Sequence, residues 1–251
     1  MQKLLKSAMD IGEQMLLSGA EVHRVEDSIK RICHAGGAIR TDVFIITSSM
    51  VLTVHDGDGR AYTETRRINS LGTDYEALDK LNSLSRKICS ENLASDEINA
   101  ELDRIKDRKR YPLWIEFIAY AFVGAAFTLF FGGTLPQAVV ALFIGGALRG
   151  TVYAAEKIAR NTVFLKFISS FALATLAHLS VRLGIVPSPD EIIIGNIMLL
   201  IPGIGFTNAL RDLFMGDSIA GSLRLLEAVL SAAAIAAGYF LLVFLTGGAA
   251  I

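Results

Sequence analysis

The spacing of apolar positions changes character along the chain. Near the start it is helical. Leu5, Ala8, Met9, Met15 and Leu16 recur at roughly one turn, and Val22, Val25, Ile29, Ile32 and Cys33 fall on one face by the same rule. Gly36 and Gly37 end that second helix. After Arg40 the pattern turns to β. "VFIITSSMVLTVHD" is rich in β-branched residues and reads as one strand, or as two with a break near Ser48 and Ser49. "DGDG" at 56–59 is a turn signal, and "RAYTETRRI" is the returning strand. Helical spacing resumes with Tyr75, Leu78, Leu81, Leu84 and Ile88, and a charged helix, "SDEINAELDRIKDRKR", follows. The order predicted is helix–helix–hairpin–helix–helix.

From Leu113 onward the runs become long and apolar. A membrane crossing needs about 20 such residues. Five segments meet that need, at about 113–133, 135–156, 163–183, 191–210 and 217–246. The fold expected is therefore a mainly α membrane protein, with about five transmembrane helices after an α+β cytoplasmic N-terminal domain. The domains run 1–110 and 111–251. Composition agrees: the 251 residues are 52% hydrophobic, with mean hydropathy +0.47, while the charge is concentrated before residue 110. A net charge of -1 gives no argument for a nucleic-acid partner. The first fifteen residues lack a long apolar core and carry Asp10 and Glu13, which argues against a signal peptide. Cys33 and Cys89 both lie in the charged half and read as two buried, reduced thiols, with a bridge between them as the alternative.

Basic residues in the short flanks set the orientation. Lys106, Arg108, Lys109 and Arg110 precede the first span. Arg149, Lys157 and Arg160 lie around the second connection, and Arg211 follows the fourth span. The alternate connections, "FGGTLP" and "GIVPSPDE", hold neither Lys nor Arg. This places the N-terminal domain in the cytoplasm and the C-terminus outside.

Candidate chemistry changes the picture in two places. In the charged half, His23, Asp27 and Ser28 invite a hydrolytic reading. Asp27 and Ser28 are sequence neighbours that face different ways on a helix, and no nucleophile elbow or metal-ligand spacing accompanies them. No catalytic residue, metal or cofactor is expected. "AEVHRVED" reads instead as a charged helix face, with Glu21 and Arg24 spaced to pair, or as a docking surface.

In the apolar half, "NIMLLIPGIGFTNALRDLFMGD" carries a helix breaker and a charge cluster. Pro202 removes an N–H and clashes one turn back, and Gly203 and Gly205 permit unwinding. Such backbone is tolerated in a bilayer only where it is buried in protein or lines a cavity, and secondary transporters use it to hold solutes. Asn196, Asn208, Arg211, Asp212 and Asp217 cluster with the break as a candidate hydrophilic path; a proline kink with an interfacial charge cluster is the alternative. In the last span Arg224 and Glu227 are spaced to pair, and Asp217, Gly221 and Arg224 share that face.

Two long motifs, "SGAEVHRVEDSIKRI" and "GNIMLLIPGIGFTNALRDLFMGDSIAGSLRLLEA", resemble the threonine/serine exporter family over nearly the whole chain. The family includes fused forms and split forms, in which a smaller membrane protein supplies a second set of spans. With about five spans the chain looks like the larger subunit of a split form. The resemblance implies a secondary exporter in the inner membrane, without its own ATPase. The absence of a GxxxxGK[ST] loop agrees. Split members are associated with succinate and related dicarboxylates, fused members with threonine and serine. The motif positions Asn196, Pro202, Gly203, Arg211, Asp212, Gly216, Asp217, Gly221 and Arg224 carry over as a functional core, with Glu227 added from its spacing. Glu21, Arg24 and Glu26 are the matching positions in the first motif.

Overall fold

A computed structural model describes residues 1–69, 71–91, 93, 95–108, 111–158 and 161–246. The described chain is mainly helical. In order it runs α1 (Gln2–Leu17), α2 (Val22–Ala35), β1 (Arg40–Ile46), β2 (Ser49–His55), β3 (Ala61–Arg67), α3 (Tyr75–Glu91) and α4 (Ser95–Lys106). Then come α5 (Leu113–Phe130), α6 (Leu135–Ile158), α7 (Thr162–Arg182), α8 (Asp190–Ile197), α9 (Gly203–Phe214) and α10 (Ser218–Leu245). Two compact units emerge, and neither is a single stretch of chain. One joins Met1–Lys109 to Ile204–Leu226; the other joins Arg110–Gly203 to Glu227–Ile251. The segment 204–226 thus folds with the charged half, where a single cut at residue 110 had assigned it to the membrane half.

In the first unit the predicted hairpin is a three-stranded antiparallel meander, order β1-β2-β3. The long β-branched run is two strands that turn between Ile46 and Ser49, so Ile46 pairs with Ser49 and Arg40 with His55. The second turn is the predicted one. The Asp56 carboxylate accepts from the backbone N–H groups of Asp58 and Arg60, and Gly59 takes a φ of 78° that side chains disfavour. Alternation along β2 turns Met50, Leu52 and Val54 inward. They join Met9, Ile11 and Met15 of α1, Ile29 and Ile32 of α2, Leu81 of α3 and Ile98 and Leu102 of α4 in one core. Arg66 ties β3 to α1 by pairing with Asp10 and, at 2.9 Å, with Glu13. Cys33 is buried, as expected; Cys89 is exposed, contrary to expectation, because it sits off the apolar stripe of α3 that Leu81, Leu84 and Ile88 form.

In the second unit, α5, α6 and α8 pack by close backbone approach. A Cβ on Gly195 would stand 2.3 Å from Thr128 Oγ1, and one on Gly145 2.5 Å from the Tyr120 carbonyl oxygen. A Cβ on Gly238 of α10 would stand 2.4 Å from the Phe167 carbonyl oxygen of α7. Small residues allow helices in lipid to approach in this way.

Among the described residues four helices, α5, α6, α7 and α10, are long and apolar enough to cross a membrane. The fifth expected span, 191–210, is instead two helices, α8 and α9. Pro202 cannot donate to the Met198 carbonyl, and the chain tightens first, with Leu199 N–H on the Asn196 carbonyl and Leu200 N–H on that of Ile197. Two flanking cations also change place. Arg149 and Lys157 lie within α6 rather than in a connection. Lys109, Arg110 and Arg160 lie outside the described residues.

Candidate functional site

The site begins with four residues, "SGAE", that reverse the chain between α1 and α2. Gly19 holds a φ of 93°, which lets Ala20 N–H reach back to the Met15 carbonyl. The reversal leaves the Gly19 and Ala20 carbonyls and the Val22 N–H without partners in their own helices. Those partners come from residues about 190 positions later.

On α9, Asn208, Arg211 and Asp212 fall on one face. Asn208 Nδ2 donates to the Gly19 carbonyl at 3.1 Å, Arg211 pairs with the Glu21 carboxylate, and Asp212 Oδ1 accepts from Val22 N–H at 3.1 Å. Arg224 of α10 donates to the Ala20 carbonyl at 3.1 Å and stands 2.9 Å from Asp212 Oδ2, an ion pair without hydrogen-bond alignment. Asp212 is 1% exposed and Arg224 6%.

The local sequence explains the convergence. Gly216, with φ of 97°, ends α9 and turns the chain, and Asp217 N–H closes the turn on the Asp212 carbonyl. Gly221 then lets α10 cross α9: a Cβ there would meet Leu213 N at 2.8 Å and the Ala209 carbonyl at 2.9 Å. That crossing brings Arg224 to Asp212. Glu21 occupies the N-cap of α2 but makes no side-chain cap. Asp212 supplies the acceptor from a distance, and its negative charge suits the positive end of the α2 dipole.

The arrangement is a charged clasp around a helix turn. It can hold the α1–α2 turn against α9 and α10, and it presents paired charges that a competing anion or a proton would separate. Asp217 Oδ2 and Arg224 Nε have no hydrogen-bond partner among the described residues. Nearby, burial raises the Glu26 carboxyl above its ordinary value; Lys30, 3.6 Å away, opposes this and Asp217 adds to it. No group of three or more His, Cys, Asp or Glu is placed to hold a metal among the described residues.

The family model for threonine/serine exporters matches residues 6–246. The chain belongs to the threonine/serine exporter family. It is 24% identical over 239 residues to the "Probable threonine/serine exporter" of Mycobacterium tuberculosis, covering 94% of this chain and 45% of that one. It is 22% identical over 242 residues to the "Threonine/serine exporter" of Corynebacterium glutamicum, covering 94% and 50%. The chain thus spans about half the length of these curated relatives. It is also 25% identical over 214 residues to the "Probable succinate transporter subunit YjjP" of Klebsiella aerogenes, covering 84% and 81%. These relatives are named as exporters or a transporter subunit, not as enzymes. No solved structure matches significantly. Family and apolar helices together make this a multi-pass membrane protein.

In this exporter-family chain the clasp unites Glu21 with Arg211, Asp212 and Arg224, residues of both motifs. Gly221 serves the helix crossing. Other predicted residues lie apart. Arg224 pairs with Asp212, not with Glu227, which is exposed. Glu21 pairs with Arg211, not with Arg24. The space beside Gly203 and Gly205 is open to a Cβ. Asn196 is fully buried in the second unit. Its Nδ2 bonds the Ile192 carbonyl at 3.0 Å, and its Oδ1 faces Gly124 and Gly145 with no hydrogen-bond partner among the described residues. Asp27 is bound by Arg31 at 2.9 Å and the Ser28 hydroxyl donates to the Arg24 carbonyl, so His23, Asp27 and Ser28 form no relay.

Sequence reasoning missed the backbone half of the clasp, for which Gly19 in a two-helix turn was the available signal. It also missed a second buried cation. Arg149, 8% exposed, donates to Glu116 at 2.7 Å and lies over the Tyr120 and Tyr153 rings. A charge within a long apolar helix was its signal.

Proposed function

We propose that this chain is a subunit of a secondary exporter of small carboxylates, either succinate-like dicarboxylates or threonine and serine, in the inner membrane. A smaller membrane protein of the same family supplies the second set of helices, and the N-terminal domain is cytoplasmic. The observation that carries the proposal is the family match across residues 6–246.

In this reading Arg211 or Arg224 offers a cation to the substrate carboxylate. Asp212 or Asp217 takes the coupled proton, or the ammonium group if the cargo is an amino acid. The unpartnered Oδ2 of Asp217 supports it in that role. Asn196, Pro202 and Gly203 shape the path within the second unit, and Gly221 serves it only by setting the crossing that brings Arg224 to Asp212. A second reading is favoured by the mutual pairing of Arg224 and Asp212: the clasp fastens the fold, and the path runs through the partner.

The test is efflux of labelled succinate, threonine and serine from cells making this chain, with and without a small family partner. Efflux of one cargo class only when both are present is expected. A stable membrane complex that exports none of the three would overturn the exporter proposal.

A further inference from the structure

Arg24 belongs to the first motif yet takes no part in the clasp. It opens a polar stripe on α2, with Asp27, Ser28 and Arg31 at the following helical positions. On α3, Asn82, Ser85, Arg86 and Cys89 repeat that spacing. Packed helices meet through apolar residues at such intervals; α2 and α3 pack together, and Val25, Ile29, Leu81 and Ile88 are all buried in the same core. The polar stripes flank that seam and line a cleft of about 440 Å³. That volume lies in the range of small-molecule sites.

The charge of the cleft is one-sided. Three guanidinium groups face one carboxylate. Asp27 is engaged by Arg31 at 2.9 Å, and neither Arg24 nor Arg86 has a carboxylate partner among the described residues. Arg86 Nε makes only a 3.3 Å bond to the Asn82 carbonyl. A guanidinium is a planar fork that takes carboxylate or phosphate oxygens two at a time. Ser85 and Asn82 add neutral hydrogen-bonding groups to the cleft lining.

We propose that the α2–α3 cleft binds a small multivalent anion, a dicarboxylate or a phosphate-bearing metabolite, held by Arg24 and Arg86. The site is separate from the clasp and does not depend on the cargo of the exporter. It gives the N-terminal domain a way to sense a soluble anion.

Cys89 on the cleft wall provides a local readout, with buried Cys33 as an internal control. The full chain in detergent is alkylated with a neutral maleimide at fixed ionic strength, in sodium chloride, sodium succinate or inorganic phosphate. Slower labelling of Cys89 in succinate assigns a carboxylate ligand, and in phosphate a phosphate ligand. Calorimetric titration with the same anion gives its affinity. Arg24→Gln or Arg86→Gln should each weaken that affinity about tenfold, the loss of one charge-assisted hydrogen bond, with melting unchanged. Unaltered labelling and no binding heat with either anion, or binding that survives both substitutions, would overturn the proposal.

Discussion

The two compact units differ in what they enclose beside their apolar cores. In the unit built on residues 1–109 the interior is large and apolar: Met9, Ile11, Ile29, Met50, Leu52 and Leu81 are fully enclosed. In the unit built on α5 to α8, the most enclosed residues include Thr128, Ser169, Ser170 and Asn196, while Phe130, Phe143 and Phe244 point outward. Water drives the first arrangement, since burying a large side chain there gains about 1.5–3 kcal/mol. Lipid offers no such gain, so close packing and internal hydrogen bonds must hold the second. Ser170 shows the difference: its hydroxyl donates to the Ile235 carbonyl at 2.7 Å, tying α7 to α10. One chain thus follows two rules, and residues 204–226 mix them: they group with the first unit, yet Phe206, Phe214, Met215 and Ile219 stay exposed.

The sharpest way to break this comparison is to enlarge a small residue in the second unit. Gly195→Val should have the largest effect of any change considered. Its Cβ alone would stand 2.3 Å from Thr128 Oγ1 and 2.6 Å from the Thr128 nitrogen, and backbone cannot move aside as a side chain can. The expected outcome is loss of monodisperse protein in detergent. Leu81→Ala, in the first unit, should leave a folded protein that is weaker by about 2–5 kcal/mol. Size-exclusion profiles and melting curves of the two variants check this. If Gly195→Val behaves like wild type, close packing does not hold the second unit.

The clasp sharpens the comparison further, because it is a buried ion pair within the water-type unit. Arg224→Ala removes the cation beside Asp212 and should destabilise the protein by about 3–5 kcal/mol. The double change Asp212→Leu with Arg224→Met removes both charges and should recover part of that loss, giving a coupling of about 0.5–3 kcal/mol between the two sites. Efflux measured on the double variant separates the two readings of the clasp. Recovered melting with recovered efflux makes it a fastening. Recovered melting without efflux makes the charges part of the pathway.

What was legible in the sequence follows from the range over which each signal acts. Periodicity is local, so the apolar stripe of α2, the strands around Thr47 and Ser48 and the turn at Asp56–Gly59 could be read directly. So could the break before Gly203, because a proline acts on the residues one turn before it. Asp212 on Val22 N–H could not be read. Its spacing within α9 is ordinary, and its partner is set by two glycine turns and a helix crossing. The assumed pairs Arg224–Glu227 and Glu21–Arg24 failed for the same reason: helical neighbours are within reach of each other, but a buried partner on another element wins. Arg149 is not a flanking charge, because α6 continues past it to Ile158. Large exposed phenylalanines from α5 onward gave the bilayer its signal, whereas the path of α9 into the first unit left no trace in composition.

The smallest effect tests whether the clasp reaches the rest of α2. Burial, aided by Asp217, raises the Glu26 carboxyl above its ordinary value of 4.5, so the folded state favours its protonated form. The sign follows from linkage: the stability this group contributes is full below 4.5 and is lost as pH rises through its folded value. Wild-type melting temperature should therefore fall across that window, and Glu26→Gln, which cannot ionise, should flatten the fall. Asp217→Asn should narrow it, because the charge that helps raise Glu26 is gone. Melting curves of the three proteins from acid to neutral pH give the answer. If Glu26→Gln flattens the fall and Asp217→Asn does not narrow it, burial alone tunes Glu26, and the turn after α9 is electrostatically isolated from α2.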